Sequence, residues 1–158
     1  MIDYEIIARQ VEAFCDGEIN RMGLLANIAA LLKEHGKWHW VGFYIVDRDD
    51  TDPMLILGPF QGPSACMVIG YGKGVCGTSW KDRRTHIVGD VEEFPGHIAC
   101  SSLSRSEIVV PIIVMREVVG VLDIDSVELN AFGPSDSKGL EKVCAILSER
   151  WAETRWPK

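Results

Sequence analysis

With 158 residues, 47% of them hydrophobic, the chain is long enough to bury one sizeable core and is expected to form a single domain over residues 1–158. A formal net charge of -7 leaves no basic surface for phosphate backbones or anionic lipid, which argues against nucleic-acid and membrane roles and favours a small cationic or zwitterionic ligand. Five cysteines at irregular spacing are unlike the even framework of a secreted scaffold, so any disulfide is expected to be transient and catalytic.

The opening Met1-Ile2-Asp3-Tyr4-Glu5 lacks the basic and apolar regions of a signal peptide, and the longest apolar run, Ile108 to Met115, is too short to span a bilayer. A cytoplasmic location is expected. Ile7, Val11 and Phe14 suggest a short helix, and Met22, Leu25, Ile28, Ala29 and Leu32 a second one that stops at Gly36. Trp38 to Asp47 and Met54 to Leu57 are rich in strand formers, with the acidic stretch Asp47 to Pro53 between them as a hairpin loop. Gly58 to Ser106 is poorly periodic and punctuated by glycine, the kind of segment that carries function.

A second hairpin is read from Ile108–Met115 and Val118–Ile124 around a turn at Arg116-Glu117, with Pro111 marking a bulge or an unpaired position. After Gly133-Pro134-Ser135-Asp136, a closing helix carries Leu140, Val143, Cys144, Leu147 and Trp151 along one stripe. Helices, strands, an irregular middle, strands and a helix give an α+β domain, with helices gathered on one face of an antiparallel sheet.

Three cysteines stand apart from Cys15 and Cys144, whose helical surroundings suit small buried hydrophobes. Cys66 follows Gly62-Pro63-Ser64-Ala65, Cys76 lies in Gly72-Lys73-Gly74-Val75-Cys76-Gly77, and Cys100 ends Phe94-Pro95-Gly96-His97-Ile98-Ala99-Cys100. Gly and Pro bend or open the backbone there, so that a thiol can meet solvent and another thiol. The pattern reads as redox chemistry. His97 either tunes Cys100 or fills the loop. A zinc site from Cys66, Cys76, His97 and Cys100 is disfavoured because close Cys-x-x-Cys pairs are missing, and no metal is expected. In a strand, Asp123 and Asp125 share one face, opposite Leu122 and Ile124.

Taken together, Gln61–Cys66, Gly72–Gly77, Asp90-Val91, Pro95–Cys100, Ser106–Pro111 and Gly120–Ser126 resemble, in order, the free methionine-(R)-sulfoxide reductases, which are GAF-domain enzymes. The match runs from about Trp38 to Ser126, over half the chain. It implies a GAF fold, with a central antiparallel sheet and helices from both termini on one face. It also implies reduction of free, not peptide-bound, L-methionine (R)-sulfoxide, electrons returned from thioredoxin, a homodimer, a role under oxidative stress, and no metal or organic cofactor. Cys100 is similar in position to the family's sulfoxide-attacking cysteine, Cys66 to its main resolving cysteine and Cys76 to an additional one. Glu107, Asp123 and Asp125 match its substrate-site carboxylates, and Trp40 and Tyr44 match the aromatic pair around the substrate methyl.

The residues suit that chemistry. A cysteine thiolate is the soft nucleophile that sulfoxide sulfur requires; it becomes a sulfenic acid, which Cys66 or Cys76 can convert to a disulfide. A carboxylic acid kept protonated, Glu107 or one of Asp123 and Asp125, can donate to the sulfoxide oxygen while another pairs with the substrate ammonium. Gly72-Lys73-Gly74 and the segment after it are candidates for the substrate carboxylate. The rival reading is a GAF small-molecule or redox sensor with incidental cysteines.

Overall fold

The computed structural model describes every residue except 18, 50, 99, 101 and 158. Asp50 of the expected hairpin loop and Ala99 of the Cys100 segment therefore lie outside the described residues. Helix α1 (Tyr4–Phe14) begins where the Asp3 carboxylate accepts from the Glu5 and Ile6 amides, satisfying two of the donors a helix start leaves open. Helix α2 (Arg21–Gly36) is capped by the Asn20 side chain, which accepts from the Gly23 amide. It ends at the expected glycine, with Lys37 in the left-handed conformation at φ 55°. Gly36 is required there for a second reason: a Cβ would collide with the Trp38 ring. Of the expected stripes, Phe14 and Met22 sit in end turns and stay exposed, while the other positions are buried.

Strands β1 (Trp40–Asp47), β2 (Met54–Gln61), β3 (Val68–Ile69), β4 (His86–Val88), β5 (Ser106–Val114) and β6 (Glu117–Ser126) form one six-stranded antiparallel sheet in the order β3-β2-β1-β6-β5-β4. The β5–β6 turn is Met115-Arg116, one residue earlier than expected, because Val114 pairs with Glu117. Both turn residues have positive φ, 50° and 69°, the backbone hand that a two-residue hairpin needs. Pro111 keeps its pairing with Val121, and the register shift falls between Ile112 and Ile113. Since β4 pairs with β5 only as far as Val109, the proline sits where β5 has a single neighbour and the missing N–H is tolerated.

Helix α4 (Pro134–Arg150) starts with Pro134, whose lost donor is free at a first turn. The Asp136 carboxylate accepts from the Gly133 amide at 2.9 Å. Helices α1, α2 and α4 bury Ile7, Leu25, Ile28, Leu32, Leu140 and Leu147 against Val41, Phe43, Ile108, Leu122 and Ile124 of the sheet. Because strand side chains alternate, the opposite face presents Trp40, Tyr44, Val109 and Val121, which pack with Val75 and Cys76 of a further helix, α3 (Gly74–Asp82). One face of the sheet is thus structural, and the other is left for chemistry. Among the described residues, no helix is long and apolar enough to cross a membrane.

Candidate active site

Sheet register builds the floor of the site. On β6, Asp125 lies opposite Trp40 of β1 on one side and Glu107 of β5 on the other, giving a row Trp40–Asp125–Glu107. The next row on the same face is Gly42–Asp123–Val109. Gly42 matters because a Cβ there would collide with Phe60 and with the Trp40 ring, which leans over that position. Trp40 stacks on Phe60 at 5.2 Å and faces Tyr44 at 6.0 Å.

The roof comes from α3 and two loops. Trp40, Tyr44, Lys73, Gly74, Cys76, His97, Cys100, Ser104, Glu107, Asp123 and Asp125 all line a single pocket of about 40 Å³. Cys100 is joined by a disulfide to Cys66, with Cα atoms 5.4 Å apart. Two aromatic side chains hold the Cys66 loop: Trp40 Nε1 donates to the Pro63 carbonyl at 3.0 Å, and the Tyr44 hydroxyl donates to the Cys66 carbonyl at 2.8 Å. Cys76 is a buried free thiol at the start of α3, and Cys15 and Cys144 are buried free thiols elsewhere. All the residues named from the sequence as site residues thus converge: seven of them line the pocket, and Cys66 joins it through the disulfide.

The acids are buried and interact. Burial pushes the Glu107 carboxyl up to about 8, with the charge of Asp125 adding to the rise and a hydrogen bond with Asp123 opposing it. Asp123 is driven well above the usual carboxylate range by burial, then by the charge and hydrogen bond of Glu107. Asp125 is raised by burial and by Asp123, against a hydrogen bond from Ser104. Three carboxyls buried in one pocket cannot all ionise, so the cluster holds protons at neutral pH. Cys76 is raised in turn, by burial first and then by the three acids. The Oδ1 atom of Asp123, which lines the pocket, is buried with no hydrogen-bond partner among the described residues.

Residues 19–149 match the GAF domain family model. The free methionine-R-sulfoxide reductase of Escherichia coli is 42% identical over 98% of this chain and 92% of its own length. Its namesake in Saccharomyces cerevisiae is 40% identical over 87% and 79%. The chain belongs to the free methionine-R-sulfoxide reductase family of GAF-domain proteins. Among solved structures, the free methionine-R-sulfoxide reductase of Neisseria meningitidis in complex with its substrate superimposes with a TM-score of 0.91 at 47% identity, covering 95% of this chain and 89% of that one.

Within this GAF frame, several site residues had no signal in the sequence. Ser104 holds Asp125, and Pro63 offers only a carbonyl; both act through contacts that fold alone creates. The segment after Gly72-Lys73-Gly74 was open as a glycine-rich loop or a helix start, and the full extent of helix α3 had no signal because Gly74, Gly77 and Ser79 are poor helix formers. Those small residues form its buried side, and a Cβ at Gly77 would collide with the Gly70 carbonyl oxygen. Lys73 precedes the helix and gives it no side-chain cap, so the start of α3 is a candidate place for an anion. Cys76, Glu107 and Asp123 place ligand atoms within 4.8 Å of one another, a donor set able to take a thiophilic cation.

Proposed function

We propose that this chain reduces free L-methionine (R)-sulfoxide to methionine, with Cys100 as nucleophile, Cys66 as resolving thiol and a thioredoxin-like dithiol as external reductant, in a homodimer and without a bound metal or organic cofactor. The observation that carries the reading is the Cys66–Cys100 disulfide set against a pocket walled by three buried acids. The Escherichia coli and Saccharomyces cerevisiae relatives, both free methionine-R-sulfoxide reductases, support the same activity.

In the reduced protein, the Cys100 thiolate attacks the sulfoxide sulfur while Glu107 gives its proton to the oxygen. The S–O bond and the transient bond between the two sulfurs both break as the hydroxyl passes to the Cys100 sulfur, and methionine is released. Substrate sulfur gains two electrons and becomes a thioether; Cys100 sulfur loses two and becomes a sulfenic acid. The Cys66 sulfur then displaces that hydroxyl, which takes the thiol proton and departs as water, and the S–S bond forms. An outside dithiol reduces the bond and restores both thiols.

Asp123, with its open Oδ1, and Asp125 suit the substrate ammonium, and the start of α3 with Lys73 suits its carboxylate. Trp40 and Tyr44 give the S-methyl group an aromatic wall. A pocket of about 40 Å³ has space for a few waters only, so the substrate enters after the disulfide opens. Cys76 is the reserve thiol for resolution.

The test is NADPH oxidation with thioredoxin and thioredoxin reductase, supplying free methionine (R)-sulfoxide, its (S) epimer and a peptide-bound sulfoxide in parallel. Turnover of the free (R) form alone, lost in Cys100→Ser, is expected. Silence with all three, and with a small dithiol in place of thioredoxin, would reassign the chain to ligand sensing.

A further inference from the structure

The reaction above spends one proton from Glu107 in every cycle, yet Glu107 is buried on the sheet floor. It cannot act again until that proton is replaced. The replacement is available in principle, since Cys100 releases a proton to solvent each time it ionises. The buried carboxyl needs a group that connects it to water.

His97 occupies that place. Its Nε2 lies 3.7 Å from Glu107 Oε2, and its side chain retains 16% exposure against 8% for Glu107. Backbone hydrogen bonds order the main chain of the Cys100 loop that carries it: the His97 amide donates to the Phe94 carbonyl at 3.2 Å, and the Cys100 amide donates to the Ile98 carbonyl at 3.0 Å. The titratable groups that line the pocket with it are Tyr44 from β1, Glu107 from β5, Asp123 and Asp125 from β6, and Lys73 and Cys76 from the start of α3, while Cys100 on its own loop is tied in the disulfide. Of these, Glu107 is the one in ion-pair range of the imidazole.

We propose that His97 returns the spent proton to Glu107 between turnovers, linking the buried acid to solvent. The inference rests on the reductase reading above and adds to it a residue that acts through Glu107 rather than on substrate. Burial lowers the His97 pKa below its ordinary 6.5, so the ring is mainly neutral at pH 7. A neutral imidazole has one donor and one acceptor nitrogen; it can take a proton on one and release the other. A protonated ring held permanently against Glu107 would instead favour the carboxylate and work against the general acid.

The experiment compares wild type, His97→Asn and His97→Gln with free methionine (R)-sulfoxide and dithiothreitol at concentrations where the rate no longer rises with reductant. Thermal melts check that each variant is folded. The expected result is a kcat about tenfold or more below wild type in both variants, with KM within about twofold. Added imidazole restores much of the loss, and the solvent deuterium isotope effect on kcat grows. The first turnover of pre-reduced variant keeps the wild-type rate, because Glu107 starts protonated.

Unchanged kcat in both folded variants, or a loss shared by the first turnover and unrepaired by imidazole, would overturn the relay. Wild-type silence toward the sulfoxide would overturn the reductase reading and the relay with it. Normal wild-type turnover beside unaffected variants would remove His97 alone.

Discussion

Glu107 is the residue on which the proposed chemistry and the stability of the fold pull in opposite directions. Its carboxyl sits near 8 rather than the ordinary 4.5; below about 8 the folded protein holds a proton that the unfolded chain has already released above 4.5. Folding therefore binds the proton, and stability falls as pH rises through that window. The same proton is what the sulfoxide oxygen needs. We expect Glu107→Gln to lower kcat by roughly 100-fold or more and to remove the alkaline limb that wild type shows as Glu107 ionises. The melting temperature should rise, and its decline between pH 5 and 8 should become shallower. These bounds lie within the window from 4.5 to about 8 in which the folded and unfolded chains differ in protonation at this carboxyl. A pH series of turnover and of thermal melts measures both. Equal pH profiles for the two proteins would remove Glu107 from the acid role.

At the scale of elements, what could be read in advance was what periodicity encodes. Alternation along Gly120–Ser126 put Asp123 and Asp125 on one face, and the register of β6 with β1 and β5 is what adds Trp40 and Glu107 to that face. Register lies between strands and leaves no mark within either one. The resemblance singled out Trp40 and Tyr44 as an aromatic pair, but their grip on the Pro63 and Cys66 carbonyls was not legible, since a backbone acceptor has no sequence signature. Helix α3 was hidden for a different reason: its glycines serve close packing, not chain reversal. Gly77→Ala tests that account. The added Cβ would meet the Gly70 carbonyl oxygen, a backbone atom that cannot rotate away. The expected cost is about 1–3 kcal/mol by denaturant unfolding, together with a higher KM from the displaced start of α3. A variant as stable as wild type would show that this contact is slack.

Across the whole molecule, the sheet divides labour. Its helix-covered face packs into the apolar core that runs from Ile7 to Trp151 and holds the fold. Its other face carries Trp40, Tyr44, Cys76 and Val109, and the three acids lie in the pocket beside them. This division follows from hydrophobic patterning, and so the α+β architecture was legible from the chain. The residues alone left Cys66 and Cys76 as alternative partners for Cys100, because sulfur-to-sulfur reach belongs to the folded loops. In the structure Cys66 is bonded to Cys100 while Cys76 is buried at the start of α3. The central claim is that this pair carries the electrons, and one measurement meets it without any partner protein. Fully reduced protein is mixed with excess free methionine (R)-sulfoxide in the absence of reductant; methionine is counted per chain and the disulfides are mapped by peptide mass spectrometry. The account expects one methionine per chain, the Cys66–Cys100 disulfide as the main product, and neither in Cys100→Ser. Methionine formed by Cys100→Ser, or a reacted protein whose Cys66 and Cys100 remain thiols, would contradict it.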